Sequence, residues 1–288
     1  MEITNQEPEN EIPRAIPVPI QTSPFPSPNN PPWNTPAAIG TWIASVVFIV
    51  IFPNVFLLPY LSAKHVQFSD SAKLMEFLLS DPTAIIINVL SIIPAHILTL
   101  ALAWAVVTRF KKFSFRETLG WKGGPVSWWY YPMLLIGFFV IGYVIGSYFP
   151  EQENDLTRIL KSSRTAVYIV AFLATFTAPI VEEVIYRGIL YSALQRTFGM
   201  AFAVVLVTFL FALVHVPQYW PGYSTIFLLT LLSLTLTLIR AKTGNLLPCI
   251  IFHFIFNGIQ SLGLVLAPLL EKPETQNEAV AAILRFIQ

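Results

Sequence analysis

Charged residues are scarce in this sequence. Lys and Arg number 17 and Asp and Glu 16, so 11% of the 288 residues are charged, against about 25% in soluble domains. The net charge of +1 argues against the basic surface that nucleic-acid-binding proteins need, so no nucleic acid is expected as a partner. Cys249 is the single cysteine, which excludes an internal disulfide. The start, MEITNQEPEN, has no basic region followed by a short apolar stretch, so we expect no cleavable signal peptide.

Apolar residues are abundant instead: 55% of the chain is hydrophobic and the mean hydropathy is +0.65. About 20 residues of helix cross a bilayer core. The sequence therefore predicts an all-α fold, a polytopic transmembrane helix bundle of about seven spans, with six to eight allowed because two stretches are short. The predicted spans are 38–60, 83–108, 128–149, 165–187, 200–216, 224–239 and 246–269.

Composition divides the chain into four regions. Residues 1–37 hold many of the 23 prolines, a composition typical of extended, unpacked chain, and they are predicted to form a disordered tail. Three spans make an N-terminal transmembrane region at 38–164, and a second transmembrane region follows at 165–270. Residues 271–288 have the pattern of a short amphipathic helix lying at the membrane surface.

One loop carries the strongest basic cluster of the chain. Its residues are Arg109, Lys111, Lys112, Arg116 and Lys122. Cytoplasmic loops are enriched in Lys and Arg, so this loop predicts a cytoplasmic N-terminus for the integral membrane protein.

All but two of the 16 acidic residues fall in predicted tails or loops, and the two exceptions are the neighbours Glu182 and Glu183. A charge near the bilayer centre costs about 2.5–3.5 kcal/mol even on lenient scales, and such residues normally face the interior of a bundle. Glu183 and Arg187 are four residues apart with the acid first, the favourable order for an ion pair on a helix. Glu182 points about 100° away and stays available for chemistry.

Three histidines also lie at membrane depth: His96, His215 and His253. His253 and Asn257 are separated by four residues and project from one helical face. His96 follows Pro94 closely and is interpreted as a helix contact outside the site. The candidate constellation is Glu182, Glu183, Arg187, His215, His253 and Asn257.

These residue types suit hydrolysis by a water molecule. A carboxylate beside a histidine can hold and deprotonate water, and further donors can stabilise the oxyanion that forms when the water attacks a carbonyl. Each residue also has a simpler interpretation. Glu183 with Arg187 would be a structural ion pair, Asn257 an interhelical hydrogen bond, and Phe211 core packing that orients His215.

Three ordered motifs in the 165–265 region resemble those of the CPBP family, the CAAX prenyl endopeptidase and bacteriocin-processing intramembrane proteases, also called the Abi family. The patterns are EExxxR, FxxxH and HxxxN. The matching residues are Glu182, Glu183 and Arg187 in EEVIYR, Phe211 and His215 in FALVH, and His253 and Asn257 in HFIFN. Tyr186 stands where many relatives have Phe.

The resemblance implies an intramembrane endopeptidase that cleaves membrane-associated or lipidated, CAAX-like proteins or peptides. It implies that Glu182 and His215 activate water, that His253 and Asn257 stabilise the oxyanion or complete the polar site, and that Glu183, Arg187 and Phe211 support them. Family members are described both as metalloproteases and as glutamate-dependent peptidases, so no metal is assigned. If zinc is the cofactor, Glu182, His215 and His253 are its expected ligands.

Two other functions stay open at this level. One is a non-catalytic membrane adaptor or immunity protein on the same scaffold, and the other is a proton-coupled transporter that uses the carboxylate and histidines as a relay. The HExxH helix of zinc metalloproteases is absent from the sequence. A bacterial inner membrane fits the absence of a secretory signal and of appended soluble domains.

Overall fold

The computed structural model describes residues 26–66, 70–122 and 126–270. All the named secondary-structure elements in these residues are helices. The α-helices are α1 (Thr35–Ala63), α2 (Ser71–Ser80), α3 (Pro82–Leu90), α4 (Ile92–Thr108), α5 (Phe115–Leu119), α6 (Tyr130–Tyr148), α7 (Asp155–Ser162), α8 (Arg164–Phe172), α9 (Ala178–Glu182), α10 (Tyr191–Phe198), α11 (Met200–Tyr219), α12 (Tyr223–Thr243) and α13 (Leu247–Leu270). Two π-helical segments, π1 (Leu173–Thr177) and π2 (Glu183–Leu190), lie between α8 and α10.

Seven helical segments of the described chain are long and apolar enough to cross a membrane. They are Thr35–Ala63, Pro82–Thr108, Tyr130–Tyr148, Arg164–Phe198, Met200–Tyr219, Tyr223–Thr243 and Leu247–Ala267. The prediction of an all-α bundle of about seven spans is confirmed. The amphipathic helix predicted at 271–288 lies outside the described residues.

The chain before α1 differs from the prediction of a disordered tail over residues 1–37. Helix α1 begins at Thr35, capped by Asn34, whose side chain accepts from the backbone N–H of Ala37 at 3.0 Å. Residues 26–34, here called the N-terminal segment, pack on the bundle, and Trp33 is 4% exposed. Residues 1–25 lie outside the described part of the chain.

Arginines hold the N-terminal segment through its backbone carbonyls. Arg196 donates to the carbonyls of Pro31 and Trp33 at 2.6 and 2.7 Å, and Arg240, fully buried, donates to that of Pro28 at 2.7 Å. Arg109 donates to the carbonyl of Pro32. Proline carbonyls remain acceptors although the ring removes the donor. This explains why a proline-rich stretch is ordered here: its partners come from three distant parts of the chain.

A break in the second span sets the direction of α4. Helix α3 ends at Leu90 and α4 begins at Ile92, with Ser91 between them. Pro94 cannot donate to the carbonyl four residues before it, which ends or bends a helix there. Helix α4 then packs against π1, α9 and π2 of the fourth span.

The fourth span, Arg164–Phe198, is widened by its two π-helical segments. In π1 the backbone N–H of Ala178 donates to the carbonyl of Leu173, five residues back. The next donor in that register would be residue 179, which is a proline and has none, so the carbonyl of Ala174 is left open. Asn257 fills it, with Nδ2 donating at 2.9 Å. The π-helical segments, of a kind that often occurs at functional sites, thus lie on both sides of Pro179.

Candidate active site

Glu182 lies at the end of α9 between two histidines from separate helices. Its Oε1 is 4.0 Å from Nε2 of His215 on α11, and its Oε2 is 3.8 Å from Nε2 of His253 on α13. The Glu182 side chain is 22% exposed and that of His253 is 3% exposed. The three side chains that sequence analysis placed together are therefore neighbours in the fold.

Glu183 has a different environment from its neighbour. Its side chain is fully buried, and Oε1 accepts from Arg187 Nη1 at 2.9 Å, as the spacing of four residues predicted. The same oxygen is 2.9 Å from Nδ1 of His253, a contact that sequence analysis did not predict. Glu183 thus links the buried cation to the ring of a proposed catalytic histidine.

The Arg187 guanidinium is fully buried and has partners on a second helix, α12. Its Nη2 donates to the carbonyl and the hydroxyl of Ser233 at 3.0 and 2.8 Å, and its Nε donates to the Thr237 hydroxyl at 3.2 Å. The Phe211 ring covers the guanidinium at 4.7 Å from its carbon, a cation–π arrangement. Arg187 therefore fixes π2 against α11 and α12.

Hydrogen bonds at Nδ1 determine which nitrogen of His215 and of His253 carries the proton in a neutral ring. Nδ1 of His215 is 2.7 Å from the carbonyl oxygen of Phe211, which can only accept, so Nδ1 is protonated. Nδ1 of His253 meets Glu183, which also accepts. In neutral rings, both Nε2 atoms are then acceptors that face Glu182.

The gap between these three groups suits a molecule that donates hydrogen bonds. Separations of 3.8 and 4.0 Å between Glu182 and the two Nε2 atoms exceed the length of a direct hydrogen bond. A water molecule in this gap can donate its two hydrogens to two of the three acceptors, and Glu182 with Nε2 of His215 is one pair that it can bridge.

Glu182, His215 and His253 are also residue types that bind zinc. Two histidines and a glutamate are ordinary zinc ligands, and the bonds at both Nδ1 atoms resemble those that orient metal-bound histidines. Ligands of tetrahedral zinc lie about 3.3 Å apart, given bonds of about 2.0–2.1 Å, which is closer than the 3.8 and 4.0 Å between these atoms. Among the described residues no group of three His, Cys, Asp or Glu side chains has metal-binding spacing. The side chains are too far apart to bind one tetrahedral zinc ion, so the proposed reaction uses no metal.

A cavity of about 580 Å³ surrounds the Glu182 carboxylate. His215, His253 and Asn257 line it together with many apolar side chains. Helix α7 covers one side of the cavity through Leu156, Ile159 and Leu160, and Gln218 and Tyr219 at the end of α11 lie nearby on its wall.

The predicted supporting residue Phe211 is 1% exposed, with its ring 4.7 Å from that of His215. It therefore positions this histidine by stacking as well as through its carbonyl. Tyr186, the departure from the family pattern, packs edge-on against Phe211 at 5.1 Å and also lines the cavity.

Sequence analysis interpreted His96 as a helix contact outside the site, and its Nδ1 does contact the Thr177 hydroxyl oxygen at 3.0 Å. His96 lines the same cavity as Glu182. Its ring is fixed by Thr177, 81 residues away, so no local pattern identified it. The signal in the sequence was a histidine at membrane depth just after a helix-breaking proline.

The fold and this cluster define an integral membrane protein with a polar site between its helices. Residues 164–259, which are 96 of the 288 residues, match the family described as Type II CAAX prenyl endopeptidase Rce1-like. The match contains all three motifs and confirms the family resemblance that they indicate. The family is one of CAAX-type intramembrane proteases. No curated protein and no solved structure matches the chain.

Proposed function

We propose that the protein is an intramembrane endopeptidase that hydrolyses peptide bonds with a water molecule held by Glu182, His215 and His253. The observation that carries this proposal is the placement of Glu182 between two Nε2 atoms at 3.8 and 4.0 Å. The apolar cavity around the carboxylate lowers the local dielectric, and electrostatic interactions at the reacting atoms are stronger in such a site.

Glu182 acts as the general base in the proposed reaction. It removes a proton from the water, whose oxygen attacks the substrate carbonyl, while Nε2 of His215 accepts the second water hydrogen and orients the molecule. Glu182 then returns its proton to the leaving nitrogen, the C–N bond breaks, and an acid and an amine are released. Atoms and protons balance without another reactant.

His253 and Asn257 complete the polar site. Nε2 of His253, 3.8 Å from Oε2 of Glu182, confines the water from the other side. It makes no hydrogen bond to the water, because Glu182 and His215 already accept both water hydrogens. One N–H of the Asn257 amide is used by the Ala174 carbonyl, and the other remains to donate to the oxyanion of the tetrahedral intermediate. Glu183 and Arg187 take no part in bond breaking in this proposal. They hold the His253 ring and the helix that carries Glu182.

The substrate class follows from the cavity and the family. The lining is largely apolar, so it favours burial of the apolar groups of a membrane-associated or lipidated, CAAX-like protein or peptide. A bacterial inner membrane, with the N-terminus in the cytoplasm, is the proposed location. Peptide maturation in that membrane would use the same chemistry.

A single substitution tests the proposal. Glu182→Gln keeps the shape of the side chain and removes its basicity, and cleavage of a membrane-tethered peptide by the purified protein should fall by about 10²–10⁴-fold, the usual contribution of general acid–base catalysis. Glu76→Gln makes the same chemical change at an exposed residue of α2 and should leave the rate unchanged. If Glu182→Gln cleaves as fast as the parent protein, Glu182 is not the base.

The same assay separates the two alternative functions. A proton-coupled transporter needs a proton gradient, whereas peptide products should form in detergent with no gradient. An adaptor protein would give no products at all, and combined changes at Glu182, His215 and His253 would then leave its cellular phenotype intact.

A further inference from the structure

His96 is a third imidazole in the cavity, contributed by the part of the chain that precedes the family match. It lies on α4, is 8% exposed, and lines the cavity with Glu182. Helix α4 packs against α9, which carries Glu182, and against both π-helical segments. His96 is thus built into the wall of the site, and the reaction proposed above makes no use of it.

The contact with Thr177 determines the protonation and orientation of the His96 ring. Nδ1 is 3.0 Å from the Thr177 hydroxyl oxygen, and that hydroxyl donates to the carbonyl of Leu173 at 3.2 Å. With its one hydrogen used for that carbonyl, the hydroxyl accepts from His96, and Nδ1 then carries the proton. Nε2 of the neutral ring is then an acceptor.

Nε2 of His96 has no hydrogen-bond partner among the described residues, and it is not among their fully enclosed polar atoms without a partner. This atom is therefore not sealed off, and the cavity lies next to the ring, since His96 is one of the residues that line it. The ring cannot turn to bury this atom without losing the Thr177 bond. The chain thus presents a fixed acceptor to the contents of the cavity.

A peptide that enters this cavity brings the complementary groups. Each of its residues other than proline has a backbone N–H that leaves water on entry, and such a donor is costly to leave unpaired in an apolar site. Peptide recognition by proteases and related proteins commonly pairs the backbone of the extended substrate in this way. The Nε2 acceptor meets that requirement.

We propose that His96 is a substrate-binding residue whose Nε2 accepts a hydrogen bond from a backbone N–H of the peptide substrate. This inference rests on the proposed peptidase function. It adds a subsite on the second span to a catalytic group that otherwise comes from α9, α11 and α13.

Two substitutions at residue 96 give opposite results for a binding role and a structural role. His96→Asn keeps a donor near the position of Nδ1, for Thr177, but has no atom at Nε2. His96→Gln places an acceptor near the position of Nε2 and gives up the Thr177 bond. The binding role predicts that Asn lowers kcat/KM by about tenfold or more, as expected for an unpaired hydrogen-bonding group, and that Gln restores most of it.

The loss for His96→Asn should appear in KM with kcat nearly unchanged, because the hydrogen bond is present in both the bound substrate and the transition state. Ile97→Ala, at a neighbouring residue that is 63% exposed, is the matched control and should behave like the parent. If Asn is active and Gln is inactive, the histidine is structural and the proposal is wrong.

A modified substrate locates the hydrogen bond without reliance on protein folding. In this test, the parent protein and His96→Asn are each given a series of peptides in which one backbone N–H at a time is replaced by an ester oxygen. At one position the ester should lower kcat/KM of the parent protein about tenfold and leave kcat/KM of His96→Asn unchanged, since the two changes remove the same interaction. Equal losses in both proteins at every position would overturn the proposal.

Failure of this inference is distinguishable from failure of the proposed function. If Glu182→Gln is inactive and the ester series shows no coupling to residue 96, the peptidase proposal stands and the subsite is refuted. If Glu182→Gln is fully active, the peptidase mechanism itself fails, whatever the result at His96.

Discussion

The buried pair of Glu183 and Arg187 gives the sharpest stability prediction. Both side chains are fully buried and joined at 2.9 Å, so Arg187→Met leaves a carboxylate in the bundle without its cation. Removal of one partner of a buried ion pair costs about 3–5 kcal/mol, whereas replacement of both is often nearly neutral. We expect Arg187→Met and Glu183→Gln each to lose about that amount of stability.

The double variant should recover most of this loss. The amide introduced by Glu183→Gln retains an oxygen that can accept from Nδ1 of His253, and the Thr237 hydroxyl keeps its own bond to the Ser233 carbonyl, 2.7 Å long. No buried charge then remains at the pair. We expect the free energy of unfolding of the double variant to lie within about 1 kcal/mol of the parent, a coupling of about 3 kcal/mol or more between the two positions.

Thermal unfolding of the purified proteins in detergent micelles, followed by tryptophan fluorescence, measures this cycle. In a chain of this size, 1 kcal/mol corresponds to about 2–4 °C in Tm, so each single variant should unfold many degrees below the parent. If the double variant is as unstable as the sum of the singles, electrostatic pairing does not determine the stability of this part of the fold. If the single variants unfold at the parent temperature, the pair is not buried as described.

The remaining predictions concern the N-terminal segment and the metal. Nε1 of Trp33 donates to the carbonyl of Ile189 in π2 at 3.0 Å, so Trp33→Phe should lower the free energy of unfolding by about 1–3 kcal/mol. Trp104→Phe, at a position 39% exposed, is the control, and an equal loss in both variants would contradict a specific role for the Trp33 bond. For the metal, dialysis against a strong chelator should leave the cleavage rate unchanged. A rate that is lost with the chelator and restored by zinc would replace the mechanism proposed here with one in which Glu182, His215 and His253 bind the ion.

The cluster around Glu182 could be predicted because its information is local. Glu183 and Arg187, and likewise His253 and Asn257, sit four residues apart on their helices, so spacing alone places each pair on one face. The scarcity of charge elsewhere in the spans makes these residues conspicuous. Their convergence from three helices followed from the family resemblance and the requirement that charges avoid lipid.

The features that sequence analysis missed depend on distant partners. The proline-rich stretch before α1 has the composition of unpacked chain. It is held in place by Arg196 and Arg240, which lie more than 160 residues further along the chain. His96 is oriented by Thr177, 81 residues away. The π-helical register of π1, just before Pro179, is not revealed by periodicity, since a proline alone predicts only a break or a kink.

The two ends of the bundle differ, and the difference bears on which side of the membrane a substrate would come from. Arg109, Arg196 and Arg240 hold the N-terminal segment at one end, whereas α11 runs from there to Tyr219, where α7 adjoins the cavity. With the loop of Arg109 in the cytoplasm, as its basic residues predict, the α7 end faces the opposite compartment. A substrate that enters the cavity beside α7 would in that orientation come from polypeptides that have already crossed the bilayer, and in the reverse orientation from those that have yet to be exported.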